Sequence, residues 1–148
     1  MLTTMHRNQF QIPATPRGLL SVAATIETFC TKNEIPTATS NLMNLALDEV
    51  LSNIVKYAYN ASKHGSIDVE LAYARGRLTA VVEDAGRPFD PLKFKRPDNA
   101  GPLNDRRQGG LGILFVKRLV DSVLYDRSGG RNRLTLTIKV PVAQAATE

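Results

Sequence analysis

Three clusters in this chain have residue types and spacing that could do chemistry. Glu49 and Asn53 stand four apart, so on a helix one sits a turn above the other. Val81-Val82-Glu83-Asp84-Ala85-Gly86 ends an apolar strand on a carboxylate and sets a glycine two residues on. Asp84 is thereby placed to accept a hydrogen bond at a pocket mouth, and Gly86 lets backbone approach a flat ligand closely. Gly109-Gly110-Leu111-Gly112 opens a helix. Glycines there allow backbone N–H groups to face a phosphate, and the helix dipole favours negative charge. Each cluster also has an ordinary explanation: a solvated helix face, a strand-to-turn junction, a flexible helix entry. The glycines are neither a Walker A loop, since no Gly-Lys-Ser/Thr follows, nor a dinucleotide fingerprint, since no parallel strand precedes them.

The elements that must position these residues are legible from periodicity. Residues 7–12 alternate as a strand and Pro13 stops it. Thr15 and Pro16 open a helix that runs to about Asn33, and a longer helical stretch runs from Pro36 to Asn60. On that second helix Met43, Leu47, Val50, Leu51, Ile54 and Ala58 form the apolar stripe, with Glu49 and Asn53 well off it. Residues 66–74 and 77–83 read as a hairpin around Arg75-Gly76, residues 110–120 as a third helix, and 122–126 with 131–140 as a second hairpin around Gly129-Gly130. The order β-α-α-β-β-loop-α-β-β predicts a two-layer α/β sandwich, three helices covering one face of a mixed, mostly antiparallel sheet.

Between Gly86 and Gly109 the chain is polar, Pro-containing and without periodicity, the composition of a functional lid. From Arg87 to Arg107 it holds six basic residues (Arg87, Lys93, Lys95, Arg96, Arg106, Arg107) against three acidic ones, over half of the excess behind the net charge of +5. The rest is nearly balanced and has no aromatic–basic interleaving. A local anionic ligand is therefore expected, and direct nucleic-acid binding is not.

At 148 residues, 43% hydrophobic and 22% charged, the chain is expected to be one globular domain. Cys30 is the only cysteine, which excludes an intramolecular disulfide framework and Cys-rich zinc sites and fits a reducing cytoplasm. The first ten residues lack the apolar run of a signal peptide, and no stretch approaches a membrane span. His6 and His64 have no partners at ligand spacing and read as surface; Cys30 reads as core, and Phe89 as an anchor for the lid base.

In order and spacing the three clusters become specific. The chain resembles the gyrase/histidine-kinase/MutL (GHKL) ATPase superfamily, with its N box, Asp-x-Gly box and glycine-rich lid box, over roughly residues 7–140. More closely it is similar to the bacterial anti-sigma-factor serine/threonine kinases of the SpoIIAB/RsbW kind. The length, Asp84-Ala-Gly-Arg-Pro-Phe-Asp-Pro91, and Gly109-Gly-Leu-Gly-Ile113 with the helix ending Leu119-Val-Asp121 carry that likeness. Two departures separate it from histidine kinases: Pro88 stands where their second glycine would be, and no helix presents a phospho-accepting histidine. Tyr57 also replaces the histidine of many relatives.

The resemblance implies a Bergerat-type ATP site. Asn53 would ligate the magnesium ion on the nucleotide phosphates, Glu49 would be the general base, and Asp84 would receive the adenine amino group. Gly86 would line the base pocket; Gly109, Gly110, Leu111 and Gly112 would meet the phosphates, with Arg106 and Arg107 near the terminal one as the lid (about 87–109) closes. It further implies phosphorylation of an anti-anti-sigma (STAS-type) partner, sequestration of a sigma factor, and a homodimer. For the last, the first helix offers Leu19, Leu20, Val22, Ile26 and Phe29, more apolar residues than a narrow stripe requires. A nucleotide-dependent protein-binding module without transfer chemistry is the alternative.

Overall fold

The computed structural model describes residues 4–59, 65–93 and 111–141. Five strands form its sheet: β1 (His6–Pro13), β2 (Ser66–Ala74), β3 (Arg77–Asp84), β4 (Ser122–Ser128) and β5 (Arg131–Lys139), in the order β1-β2-β3-β5-β4. All four described pairings are antiparallel, so the mixed character expected of the sheet is absent from them. The two hairpins turn where expected. Arg75 and Gly76 have φ of 52° and 72°, and Gly129 and Gly130 have 59° and 75°, the positive pair that a two-residue turn matched to strand twist requires.

Alternation decides which side of the sheet is covered. Ile67, Val69 and Leu71 of β2, Leu78, Ala80 and Val82 of β3, and Leu134, Leu136 and Ile138 of β5 are buried under the helices. The opposite face is a ladder of polar cross-strand pairs, with Gln9 donating to Glu70, Gln11 to Asp68, and Arg131 bridging Asp68 and Glu83. Exposed pairs of this kind add little stability each, so the covered face holds the domain together.

The helices are α1 (Val22–Lys32), α2 (Thr37–Asn53) and α3 (Leu111–Leu119). In α1, Val22, Ile26, Phe29 and Cys30 recur at helical spacing and are buried. The chain enters α1 through a 3-10 turn, Arg17–Ser21, rather than one continuous helix from Pro16. The Thr15 hydroxyl accepts from the Gly18 N–H there, as a cap does. All six residues of the stripe expected on the second helical stretch are buried, Met43, Leu47, Val50 and Leu51 on α2 and Ile54 and Ala58 just beyond it. Instead of continuing to Asn60 as an α-helix, the stretch widens into a π turn over Ile54–Ala58 directly after Asn53. Of the five apolar residues expected to be in surplus near α1, Leu19 packs partly against the core and only Leu20, 78% exposed, is free of it.

Candidate active site

The covered face of the sheet ends in polar residues. Extending the inward alternation of β3 past Val82 reaches Asp84, and extending that of β5 back from Leu134 reaches Asn132. Register sets them opposite each other. Asp84 is 2% exposed and Asn132 4%. Asp84 Oδ1 accepts from the Gly86 N–H at 2.9 Å and from Asn132 Nδ2 at 2.9 Å.

The loop after β3 is held against the end of the long helix. A Cβ on Gly86 would lie 2.4 Å from the Ala58 carbonyl oxygen, so only glycine permits this approach. Arg87 N–H donates to the Ala58 carbonyl at 2.9 Å, and its Nε donates to the Tyr57 carbonyl. A guanidinium and a backbone donor thus satisfy carbonyls that a helix end leaves open. Arg127 of β4 donates to the Gly86 carbonyl at 2.8 Å. The Tyr59 hydroxyl accepts from Ala85 N–H and donates to the Ser66 carbonyl, and burial pushes its pKa up. Phe89 is buried with its ring centroid 5.7 Å from that of Tyr57, which fits the anchor expected of it.

The other end of the site lies between α2 and α3. Glu49 is half-buried, and its Oε2 occupies the space beside Gly112 where a Cβ would sit, at 2.1 Å. Burial raises the Glu49 carboxyl above its ordinary value, Asp48 adds to this, and Lys56 opposes it. One turn along, Asn53 is only 3% exposed, although a solvated helix face would have left it in water. Its amide makes no hydrogen bond among the described residues, yet no fully sealed side-chain polar atom there lacks a partner. The Asn53 amide therefore retains access to solvent, as a ligand for something outside the fold would.

The structure brings Asp84 and Gly86 together at one end and Glu49 and Gly112 at the other, with Asn53 on the helix between Glu49 and Ala58. Leu111 opens α3. Arg106, Arg107, Gly109, Gly110 and the rest of the expected lid beyond Lys93 lie outside the described residues, as does His64. Sequence reasoning missed Asn132, Tyr59, Tyr125 and Arg127. Asn132 had a signal: asparagine is depleted in strands, and this one falls in phase with Leu134, Leu136 and Ile138.

Residues 12–138, most of the chain, match the histidine kinase-like ATPase domain family. The chain belongs to this family. It is 32% identical over 95 residues to the serine/threonine-protein kinase BtrW of Bordetella bronchiseptica, covering 64% of this chain and 67% of that protein. With the serine-protein kinase RsbW of Bacillus velezensis it shares 26% identity over 136 residues, 88% of this chain and 84% of the relative. Within the family the chain groups with these RsbW-type protein kinases. The fold agrees: a crystal structure of the RsbU and RsbW domains of Rv1364c from Mycobacterium tuberculosis superposes with a TM-score of 0.65 at 19% identity, covering 91% of this chain. This chain spans about a third (32%) of that longer one. Family membership makes ATP the nucleotide used, and among the described residues no helix is long and apolar enough to cross a membrane.

Proposed function

We propose that the protein is an ATP-dependent serine/threonine kinase and anti-sigma regulatory factor. In this reading it phosphorylates an anti-anti-sigma partner of STAS type and sequesters a sigma factor. The observation that carries it is the pair on α2: a buried Asn53 whose amide has no partner among the described residues, one turn from a Glu49 carboxylate packed on the opening turn of α3. The RsbW-type relatives support the same reading.

Asp84 receives the adenine amino group and Gly86 lies against the base. Asn53 supplies the amide oxygen that suits magnesium, a hard cation that keeps several waters and takes few protein ligands. Bound there, magnesium would neutralise phosphate charge. Glu49 accepts the proton of the acceptor hydroxyl as its oxygen bonds to the terminal phosphorus and ADP departs. In this reading Gly109, Gly110, Leu111 and Gly112 would serve as the phosphate contacts, and Arg106 and Arg107 would supply cations for the terminal phosphate. The proposal further includes one catalytic domain, with a core of about residues 7–140, acting in the cytoplasm as a homodimer.

Incubation with labelled ATP, magnesium and STAS-type proteins from the same genome tests this. Label should appear on a serine or threonine of one partner and depend on Glu49. ATP-dependent partner binding without label would instead identify a nucleotide-controlled binding module.

A further inference from the structure

Asn132 stands outside the three sequence motifs, yet more of the base end depends on it than on any other described side chain. Its Nδ2 donates to Asp84 Oδ1 at 2.9 Å and to the Arg87 carbonyl at 2.8 Å. Its Oδ1 accepts from the Phe89 N–H at 3.1 Å and from the Tyr125 hydroxyl. An asparagine amide has two N–H donors and an oxygen with two lone pairs, so its capacity is used completely. The orientation is fixed as well. A backbone N–H can only donate and a backbone carbonyl can only accept, so Phe89 and Arg87 together forbid an amide flip and force Nδ2 toward Asp84.

The consequence falls on Asp84. Its Oδ1 takes Asn132 Nδ2 and the Gly86 N–H, whereas Oδ2 has no donor among the described residues. Because no sealed side-chain polar atom lacks a partner there, Oδ2 is the oxygen left open. We propose that Asn132 is the positioning residue for base selectivity: by occupying Oδ1 it presents Oδ2 as a pure acceptor, so the pocket takes a base with an exocyclic amino group there and rejects one with a carbonyl. This rests on the reading of Asp84 as the adenine contact. The same amide fastens the loop at Arg87 and Phe89, which ties the carboxylate and the pocket wall into one rigid unit.

Asn132→Asp is a near-isosteric test, because it replaces the Nδ2 donor with an oxygen facing Asp84 Oδ1 and the Arg87 carbonyl. The new carboxyl has no donor when ionised and a single O–H when protonated. It can serve only one of those two acceptors, and only when it holds a proton, which a neighbouring carboxylate favours at low pH. The other groups around the pair are Tyr125, Arg127, Asp90, Arg87 and Tyr59. Arg127 and Arg87 favour the ionised form of the new carboxyl and Asp90 opposes it, a pull that the uncharged Asn132→Ala variant does not feel. ATP and GTP affinities are measured by calorimetry at pH 5.5 and pH 8, below each protein's melting midpoint. The wild type should prefer ATP at both pH values. Asn132→Asp should lose about tenfold of that preference at pH 8 and regain part of it at pH 5.5. Asn132→Ala, which removes the donor without adding charge, should lose it at both and decides the matter if the Asp variant does not fold. A wild-type ATP:GTP ratio in Asn132→Ala, or in folded Asn132→Asp at pH 8, overturns the proposal. If Asp84→Ala abolishes the preference while the Asn132 variants keep it, only the role of Asn132 fails. If the wild type shows no preference, the adenine reading fails with it.

Discussion

At Asp84 the protein supplies most of its own hydrogen bonds, whereas at Asn53 it supplies none among the described residues. The end proposed to hold the base is a connected network: Asp84, Asn132, Tyr125, Arg127 and the backbone of residues 85–89 bind one another across three strands and the end of the long helix. The end proposed to meet the phosphates is two helices meeting at a glycine, with a half-buried carboxylate and a buried amide that has no hydrogen bond among the described residues. The difference suits the tasks that the proposed function assigns to the two ends. A flat base is selected by acceptors fixed before it arrives, so the ordering cost lies in folding rather than in binding. In that function phosphates, a cation and an acceptor hydroxyl would enter, react and leave, which suits ligands left unspent.

Substitutions should separate the two ends. The largest effect is expected at Glu49: Glu49→Gln should lower phosphotransfer by about 10²–10⁴-fold and leave ATP affinity nearly unchanged. Single-turnover transfer alongside calorimetry checks this, and equal losses in both would merge the two ends. Next is Gly112→Ala. The new Cβ falls where Glu49 Oε2 sits, and that oxygen ends a flexible side chain that can swing away. Transfer should fall by up to about 100-fold through misplacement of the carboxylate, with the melting midpoint almost unmoved. A wild-type rate would show that Glu49 need not rest on α3.

At the base end, Asp84→Ala should weaken ATP binding by about 1–3 kcal/mol, erode the preference for ATP over GTP, and spare the rate at saturating ATP. A lower rate with intact affinity would reverse the assignment of the two ends. The smallest effect concerns pH. The Glu49 carboxyl is raised above its ordinary value of 4.5 by burial, so the folded state holds its proton to higher pH than the unfolded chain does. Stability from this group therefore falls as pH rises through the window above 4.5. Glu49→Gln lacks that loss, so its stability relative to wild type should rise from acid to neutral pH in denaturant titrations. A constant difference would indicate a carboxyl in ordinary surroundings.

Much of this site is legible in residue order, because the chemistry is concentrated in short motifs. Asp84 and Gly86 sit two apart at a strand end, and Glu49 and Asn53 four apart on a helix, so local geometry already aligns each pair. Asn132 is harder to see. It lies 48 residues from Asp84, and only the β3–β5 register sets them opposite each other. Tyr59 and Arg127 likewise reach the loop at residues 85–86 from separate elements. The 3-10 entry to α1 and the π turn after Asn53 escaped the periodicity because one turn of altered winding hardly shifts an apolar stripe.

By itself the sequence determined the element order, the hairpin turns, the buried stripes and the family. The first three depend on spacing within a dozen or so residues, where backbone periodicity and turn chemistry act directly, and the family on the order of three short motifs along the chain. Only the tertiary structure decided that Asn53 is buried rather than solvated, that Glu49 rests on Gly112, and that Asn132 locks Asp84. Those facts depend on which helix faces which and on strand register, and both are set by the packing of the whole apolar face.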